Sequence, residues 1–581
     1  MKKGTQLLAI GLLGLLLWGQ GNPLHHVALA HPVLTLFIFI LATWTVTRSR
    51  GERLRNWIRP LFRIPRLRFN LLLFLMAGGA YALIAWLLFK GIPRLDDGMA
   101  SLFQARLFAR FAITLPLPPD ANFLDVFGVL GARAGLGHWC AMYPPGWPLL
   151  LTPGVWLRVP WLVNPVLGGL LIVTIHELGR NFFDERTGRL AALIAIPSPL
   201  IAVLSGLHLS HIPAALACAL CLLSLRKLWA TRQWIWGGTA GLLWGIGFLC
   251  RPLDAAVLGA VFALGFLFQP RRFLTCKGGI AAGLVMAGLA ISLLFGFQYA
   301  TTGDARTPGH EIGMGPRGQF GFVKLDEIRT HTPAIGIRYT LMRLKVLNEN
   351  LLGWPIPALA LVLLPFILGR AKREDLLLLL PMLALLLTYA CYWYYEAGIP
   401  ARYISVGLPY AFVLAARGLL ALKEELSPHG QWVQAPAFLV VSGVLFLGLS
   451  TPEYFTRYRA ANYYDVEDIL PRVVRDYGIT HAVVFMDGLG RDTQRPDSFN
   501  DYYASGFMRN DLDLKGDILY VRNLREANLK LMKRHPDRTA WLYRFRRDLQ
   551  QACLYQMVIK EDEIQLLPVV PATEDLIVAP D

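Results

Sequence analysis

Apolar runs of close to twenty residues recur through residues 1–450 of this 581-residue chain, and they restrict the fold more than any other feature. Phe69–Phe89, Gly278–Tyr299 and Leu376–Trp393 are examples. An α-helix needs roughly 20 apolar residues to cross about 30 Å of hydrocarbon, whereas a helix on a soluble core would interrupt such a run with a polar stripe. Charged residues make up 17% of the chain, against roughly 25% in an ordinary soluble domain. A polytopic transmembrane helical bundle, mainly α, is the fold class these runs imply.

The net charge of +17 is unevenly placed. Residues 451–581 hold 18 Lys and Arg against 21 Asp and Glu, a net of −3, so residues 1–450 carry +20. That excess falls in short loops between apolar runs, where the positive-inside rule places it. No basic stripe with interleaved aromatics appears, so nucleic acid is not an expected partner. The seven cysteines form no disulfide or zinc framework. Cys218 and Cys221 make a C-x-x-C, but within an apolar helix and without a second pair, which reads as core packing.

Loop charge then sets a topology. Gln6–Trp18 follows Lys2 and Lys3 and reads as an uncleaved first helix, the alternative being a signal peptide ending at Ala28-Leu29-Ala30. Val27–Val46 is the second run, and eight arginines follow it between Arg48 and Arg68, a basic segment suited to cytoplasmic headgroups. Phe69–Phe89 next carries the chain out to Asp96 and Asp97. The remaining expected spans are Trp161–Leu178, Leu190–Leu204, Ile212–Leu228, Trp234–Cys250, Leu253–Phe268, Gly278–Tyr299, Pro355–Leu368, Leu376–Trp393, Tyr403–Leu422 and Ala435–Leu449. The expectation is about 13 spans, with a cytoplasmic N-terminus and an outer C-terminus. It divides the chain into two extra spans with a basic segment (1–68), a transmembrane domain with two long outer segments (69–450) and a soluble outer domain (451–581).

Two outer segments, 91–160 and 301–350, are too long to be plain connections, and loops of that length are usually functional or disordered. Gly146–Val159 is apolar but short and reads as an interfacial helix. Beyond residue 451, Val466–Tyr477 and Ala527–Arg534 read as helices, and Ala482–Met486, Ile518–Val521 and Trp541–Phe545 as strands. Alternation of this kind predicts a small α/β extracytoplasmic domain.

Asp96 and Asp97 carry the most chemical information. Two adjacent carboxylates beside hydrocarbon are costly to keep. Like charge and partial burial both favour the protonated form, which is how a carboxylate becomes a useful general base. The plainer reading is a helix N-cap ahead of Met99–Phe111. Arg251 and Arg402 stand at the outer ends of their expected spans, against the loop-charge bias; each could hold a phosphate through its planar fork or snorkel to headgroups.

The stretch Ile92-Pro-Arg-Leu-Asp-Asp-Gly98, then Leu102-Phe-Gln-Ala-Arg106, then Tyr143-Pro-Pro-Gly-Trp-Pro-Leu-Leu-Leu151 resembles the GT-C superfamily of polyprenol-dependent membrane glycosyltransferases. The nearest branches are those with RgtA-like and dolichyl-phosphate-mannose–protein mannosyltransferase-like domains. Weaker resemblance continues through Leu178-Gly179-Arg180, Arg251-Pro252 and Gly398–Tyr403, covering roughly residues 69–420. The resemblance implies transfer of a sugar from a polyprenyl phosphate donor to a lipid, glycan or protein acceptor, with inversion. It places the general base at Asp96, with Asp97 second where the family usually has Glu, so either acid could act. It also gives Arg402 the pre-helical arginine of the family.

Other candidates are weaker. His310, Glu311, Lys324 and His331 in the second outer segment could meet sugar or phosphate. Tyr143 and Trp147 offer rings for sugar stacking, though the Pro-Pro-Gly between them could simply shape a turn. A divalent metal near Asp96, Asp97, Glu311 or a histidine is an open alternative, at a spacing that matches no known ligand pattern. His208 and His211 read first as a solvated helix end. A lipid-linked glycan flippase or transporter is the competing function; it would place ionisable groups at mid-span and show internal repeats.

Overall fold

The computed structural model describes residues 60, 63–131, 134–267, 274–354, 357–395, 399, 401–426, 469–486, 506–546 and 551–569. The chain folds as two compact units. One comprises Met1–Trp86, Leu162–Leu294 and Gln319–Phe455; the other comprises Leu87–Trp161, Phe295–Gly318 and Thr456–Asp581.

The first unit is helical. Among the described residues, five helices are long and apolar enough to cross a membrane: Arg66–Leu87, Pro160–Phe182, His211–Thr231, Lys277–Thr302 and Arg402–Leu426. At 1.5 Å per residue the Lys277–Thr302 helix is roughly 39 Å long, and only 11% of its apolar window is buried by protein. Such a surface needs lipid around it, and the chain is a multi-pass membrane protein.

The span candidates are counted among the described residues alone, by length and composition. All ten expected spans on described residues are helical, but Leu190–Leu204 and Pro355–Leu368 are not helical throughout. Leu190–Leu204 is cut at Pro197-Ser198-Pro199 into Glu185–Ala195 and Pro199–Gly206, bent by 64°, because a proline removes a ladder donor and clashes with the preceding turn. If that pair is one span, six candidates stand among the described residues. Trp234–Cys250, Pro252–Gly265 and Ala358–Ile367 are apolar but short. Arg373–Ala390 opens on Arg373-Glu374-Asp375. The expected spans Gln6–Trp18, Val27–Val46 and Ala435–Leu449 lie outside the described residues.

Helix ends follow local chemistry. Asp184 accepts from the Thr187 N–H at 2.8 Å, and Thr332 caps the helix that begins at Pro333. Gly237 and Gly241 lie against the backbone of Gly279 and Gly283, where a Cβ would fall 2.0 and 2.2 Å from the carbonyl oxygens. Only glycine allows two helices that close.

In the second unit the Asp96–Phe108 helix leads to a small antiparallel sheet in which β3 (His138–Ala141) lies between β1 (Leu115–Pro116) and β2 (Val129–Leu130). The Gly146–Trp156 helix follows. The C-terminal residues build a mixed sheet of β4 (Ala482–Met486), β5 (Ile518–Arg522), β6 (Thr539–Arg546), β7 (Gln551–Lys560) and β8 (Glu563–Pro568), in the order β5-β4-β6-β7-β8. The β4 strand pairs in parallel with β5 and β6, while β7 and β8 continue antiparallel. The expected helices and the first three strands are present within a residue or a few of their expected ends; the β7–β8 hairpin was not anticipated.

One hydrophobic core joins this sheet to the segment after Asp96. Met99, Phe103, Leu107, Phe123 and Trp139 are buried in the same cluster as Val483, Phe485, Phe507, Tyr520 and Tyr543. Segment 91–160 and the C-terminal residues therefore fold on each other.

Candidate functional site

The Asp96–Phe108 helix starts at Asp96 itself. The N-cap position belongs to Leu95, in an extended conformation and with no side-chain capping bond, so the expected Asp cap is replaced by two acids in the first turn. Carboxylates there meet the positive end of the helix dipole. Both are half-buried, and Asp97 accepts a hydrogen bond from the Tyr143 hydroxyl at 2.8 Å through Oδ1. Sequence reasoning put both residues in one segment; the fold joins them across 46 positions.

Two further features fix this corner. Gln104, fully buried, donates to the Ile113 carbonyl at 2.8 Å and accepts from the Ala141 N–H at 2.9 Å, tying the helix to β3. Gly128, at φ +88°, lies where a Cβ would be 2.9 Å from Ala100 Cβ and 3.3 Å from the Tyr143 ring. The His310 ring packs by Tyr143 at 6.4 Å, its Nδ1 3.3 Å from the Gly318 carbonyl. Burial holds the His310 imidazole below its ordinary pKa, against the opposing pull of the Gly318 carbonyl, Asp97 and Glu311. A half-buried carboxylate pair beside a tyrosine hydroxyl and a neutral imidazole can accept a proton from an incoming hydroxyl or amine.

Trp147 is 1% exposed, so its ring is buried, whereas the sequence suggested a face open for sugar stacking.

In the first unit, Arg251 and Asp254 lie at the junction of the Trp234–Cys250 and Pro252–Leu267 helices. The Arg251 Nε bonds the Asp254 Oδ2, its Nη1 lies 3.1 Å from His211 Nε2, and its Nη2 donates to the Tyr389 hydroxyl at 3.1 Å. The Tyr389 hydroxyl donates in turn to the other Asp254 oxygen at 2.5 Å. All three guanidinium nitrogens thus have protein partners, so Arg251 serves here as an anchor where the sequence suggested a phosphate ligand.

Tyr403 stacks on Tyr389 at 5.0 Å and 7°, and the guanidinium carbons of Arg251 and Arg402 each lie 5.4 Å from its ring centroid. Arg402 opens the Arg402–Gly407 turn behind Ala401, which takes a left-handed φ of 65°. Its side chain is 5% exposed. Arg343, fully buried, donates to the Tyr389 and Tyr394 carbonyls at 2.7 and 2.8 Å. The expected solvated corner at His208 and His211 is corrected too: both are buried, at 4% and 1%, because His211 belongs to this network and the chain around His208 closes over it.

His331 and Lys324 part company. His331 is 2% exposed, its Nε2 is 3.0 Å from the Ala390 carbonyl, and its ring stacks between Phe322 and Tyr339. Lys324 is exposed on a short hairpin paired at Lys324 and Thr330. Among the described residues no three His, Cys, Asp or Glu side chains are gathered as a metal site.

Sequence reasoning missed Asp254, Tyr389, Gln104 and Gly128. Asp254 had a usable signal, an acid three residues after an arginine in an otherwise apolar helix, which needs a buried partner.

Residues 156–295 match the family model described as dolichyl-phosphate-mannose-protein mannosyltransferase. The family resemblance is borne out over that stretch. It includes Arg251, Asp254 and His211, and ends before Arg402 without reaching back to Asp96 and Asp97. No curated protein matches the chain. Among solved structures, ArnT from Cupriavidus metallidurans bound to undecaprenyl phosphate is similar at 14% identity, over 80% of this chain and 92% of that one, with a TM-score of 0.48. The apo oligosaccharyltransferase of Archaeoglobus fulgidus is similar at 12% identity, over 82% and 69%, with a TM-score of 0.38.

Proposed function

We propose that this chain is a membrane glycosyltransferase that transfers a sugar from a polyprenyl phosphate to an acceptor hydroxyl or amine on the outer face of the membrane. The observation that carries the reading is the half-buried Asp96–Asp97 pair at the start of a helix, with Asp97 oriented by Tyr143. The family match over residues 156–295 supports the donor class.

In this reading one carboxylate removes the acceptor's proton as the acceptor oxygen or nitrogen attacks the anomeric carbon. The bond from that carbon to the phosphate oxygen breaks, the electron pair leaves with the polyprenyl phosphate, and the configuration inverts. Asp97 receives the Tyr143 hydrogen bond; the family resemblance puts the base at Asp96, and either acid could act. Arg402 is proposed, on the family resemblance alone, as a phosphate ligand, since a guanidinium fork matches phosphate oxygens. Arg251, locked to Asp254, holds the tyrosine stack beside it.

The test is sugar transfer in membranes carrying Asp96→Asn or Asp97→Asn at unchanged expression. Loss of about two to four orders of magnitude in at least one variant is expected from removal of a general base. Full activity in both would refute the assignment.

A further inference from the structure

We infer that the C-terminal sheet domain is a positioning device for the Asp96–Asp97 helix, with Arg106 as the residue through which it acts. The inference rests on the function proposed above for those two acids.

Arg106 sits in the last turn of the Asp96–Phe108 helix. Its Nη1 donates to the Met508 carbonyl at 3.2 Å and its Nη2 to the Asn510 carbonyl at 2.6 Å. A guanidinium is a rigid fork, so two carbonyls two residues apart fix both its position and its orientation. The segment that supplies them is itself held. The Asn510 side chain donates to the Tyr520 carbonyl at 2.8 Å and accepts from the Tyr520 N–H at 2.9 Å, docking the segment on β5. On the adjoining face Phe103 packs against Phe507 at 5.7 Å, and Trp139 closes the trio at 5.9 Å from Phe103 and 6.3 Å from Phe507. Arg110, just past the helix, pairs with Asp513 at 2.7 Å.

A continuous line of contacts therefore runs from the buried sheet through Asn510 to Arg106, and along a rigid helix to the carboxylates at its other end. An α-helix carries a displacement along its axis without absorbing it, and ten residues cover only about 15 Å. Reacting groups must be held to within about 0.5 Å of the productive geometry, so a helix gripped at one end and hydrogen-bonded at the other meets that need. An apolar side chain at position 106 could fill the same space without fixing the register. The arginine does both.

The test uses the full-length protein with Arg106→Lys, which keeps the charge and most of the stem but loses the fork, and Asp513→Asn, which removes only the exposed pair. Amide hydrogen exchange is followed in peptides spanning residues 96–111 and β4. In parallel, kcat and KM are measured as release of undecaprenyl phosphate from a panel of undecaprenyl-phosphate-linked pentoses and hexoses. For Arg106→Lys, faster exchange at 96–111 with β4 unchanged, and kcat down about tenfold with donor KM within twofold, are expected. For Asp513→Asn a smaller change in the same direction is expected. Unchanged exchange at 96–111 in Arg106→Lys overturns the inference, and so does faster exchange with undiminished kcat. If the wild type releases undecaprenyl phosphate from no donor, the functional reading fails, while the exchange data still report whether the sheet grips the helix.

Discussion

Asp254 offers the sharpest energetic test of the buried network around Arg251. It has no exposed surface and lies one turn into an apolar helix, with one oxygen on Arg251 and the other accepting from Tyr389 at 2.5 Å. The Arg251 side chain is 13% exposed. Asp254→Leu leaves that cation without its counter-charge, and breaking a buried pair from one side costs about 3–5 kcal/mol. Arg251→Met leaves the carboxylate buried without its counter-charge, at a similar cost of about 3–5 kcal/mol. The double variant Arg251→Met/Asp254→Leu removes both desolvation penalties, and exchanging a buried pair for apolar residues is often close to neutral. The loss in the double variant should therefore fall short of the summed single losses by at least about 2 kcal/mol, a coupling of the size contacting residues show. Relative unfolding free energies of the purified protein in mixed detergent micelles, from SDS titration followed by tryptophan fluorescence, measure all four corners of the cycle. Single losses below about 1 kcal/mol, or additivity within about 0.5 kcal/mol, would refute the view that this pair is a buried, mutually dependent anchor.

Three further outcomes are expected. Tyr143→Phe keeps the ring beside His310 but removes the bond to Asp97, and a hydrogen bond to a charged group contributes about 1.5–3 kcal/mol, so transfer should slow by roughly tenfold to a hundredfold; a change within twofold would count against an oriented Asp97. Gly128→Ala places a methyl 3.3 Å from the Tyr143 ring at a left-handed φ, whereas Gly135→Ala, at φ +68° with nothing within 4 Å, carries the backbone strain alone. Transfer activity should fall in the first and hold in the second, and equal losses would show that strain rather than displacement matters. Burial keeps the His310 pKa below its ordinary 6.5, so the unfolded chain takes up the proton first as pH falls. The contribution of a neutral His310 to stability is then complete above about pH 6.5 and declines below it towards the folded-state pKa. His331, also depressed by burial, acts with the same sign. Unfolding curves at pH 7.5 and 5.5 should thus separate less in His310→Gln than in the wild type, and an unchanged separation would contradict the sign.

Much of the fold could be read from the sequence because the bilayer imposes a simple rule: long apolar runs become helices, and every expected span on described residues is one. Their ends were less legible. Pro197-Ser198-Pro199 breaks a run that hydropathy treats as continuous, and Arg373-Glu374-Asp375 begins a helix whose apolar part starts later. In the C-terminal domain the β7–β8 hairpin escaped notice because Glu561 and Asp562 form its two-residue turn, both with positive φ. Such turns normally advertise themselves with Asn-Gly or Asp-Gly. At the site, the adjacent carboxylates were visible as costly charges near an apolar run, but their partners were not. Tyr143 reaches Asp97 only because Gly128 leaves room and Gln104 ties the helix to β3, and neither residue type signals that role. Arg251 and Trp147 show the opposite error. Each bears a side chain suited to a ligand, and the fold instead commits the first to Asp254 and the second to the core.

The central claim is that the chain breaks the bond between a sugar and a polyprenyl phosphate, and a flippase or transporter would leave that bond intact. The most direct measurement incubates the purified protein, in liposomes carrying envelope lipids as acceptors, with undecaprenyl-phosphate-linked pentoses and hexoses. Free undecaprenyl phosphate and glycosylated acceptor are then quantified together by mass spectrometry. The account predicts equimolar appearance of both with at least one donor, abolished by Asp96→Asn or Asp97→Asn. Donor that crosses the bilayer with its sugar still attached, and no undecaprenyl phosphate released, would contradict it.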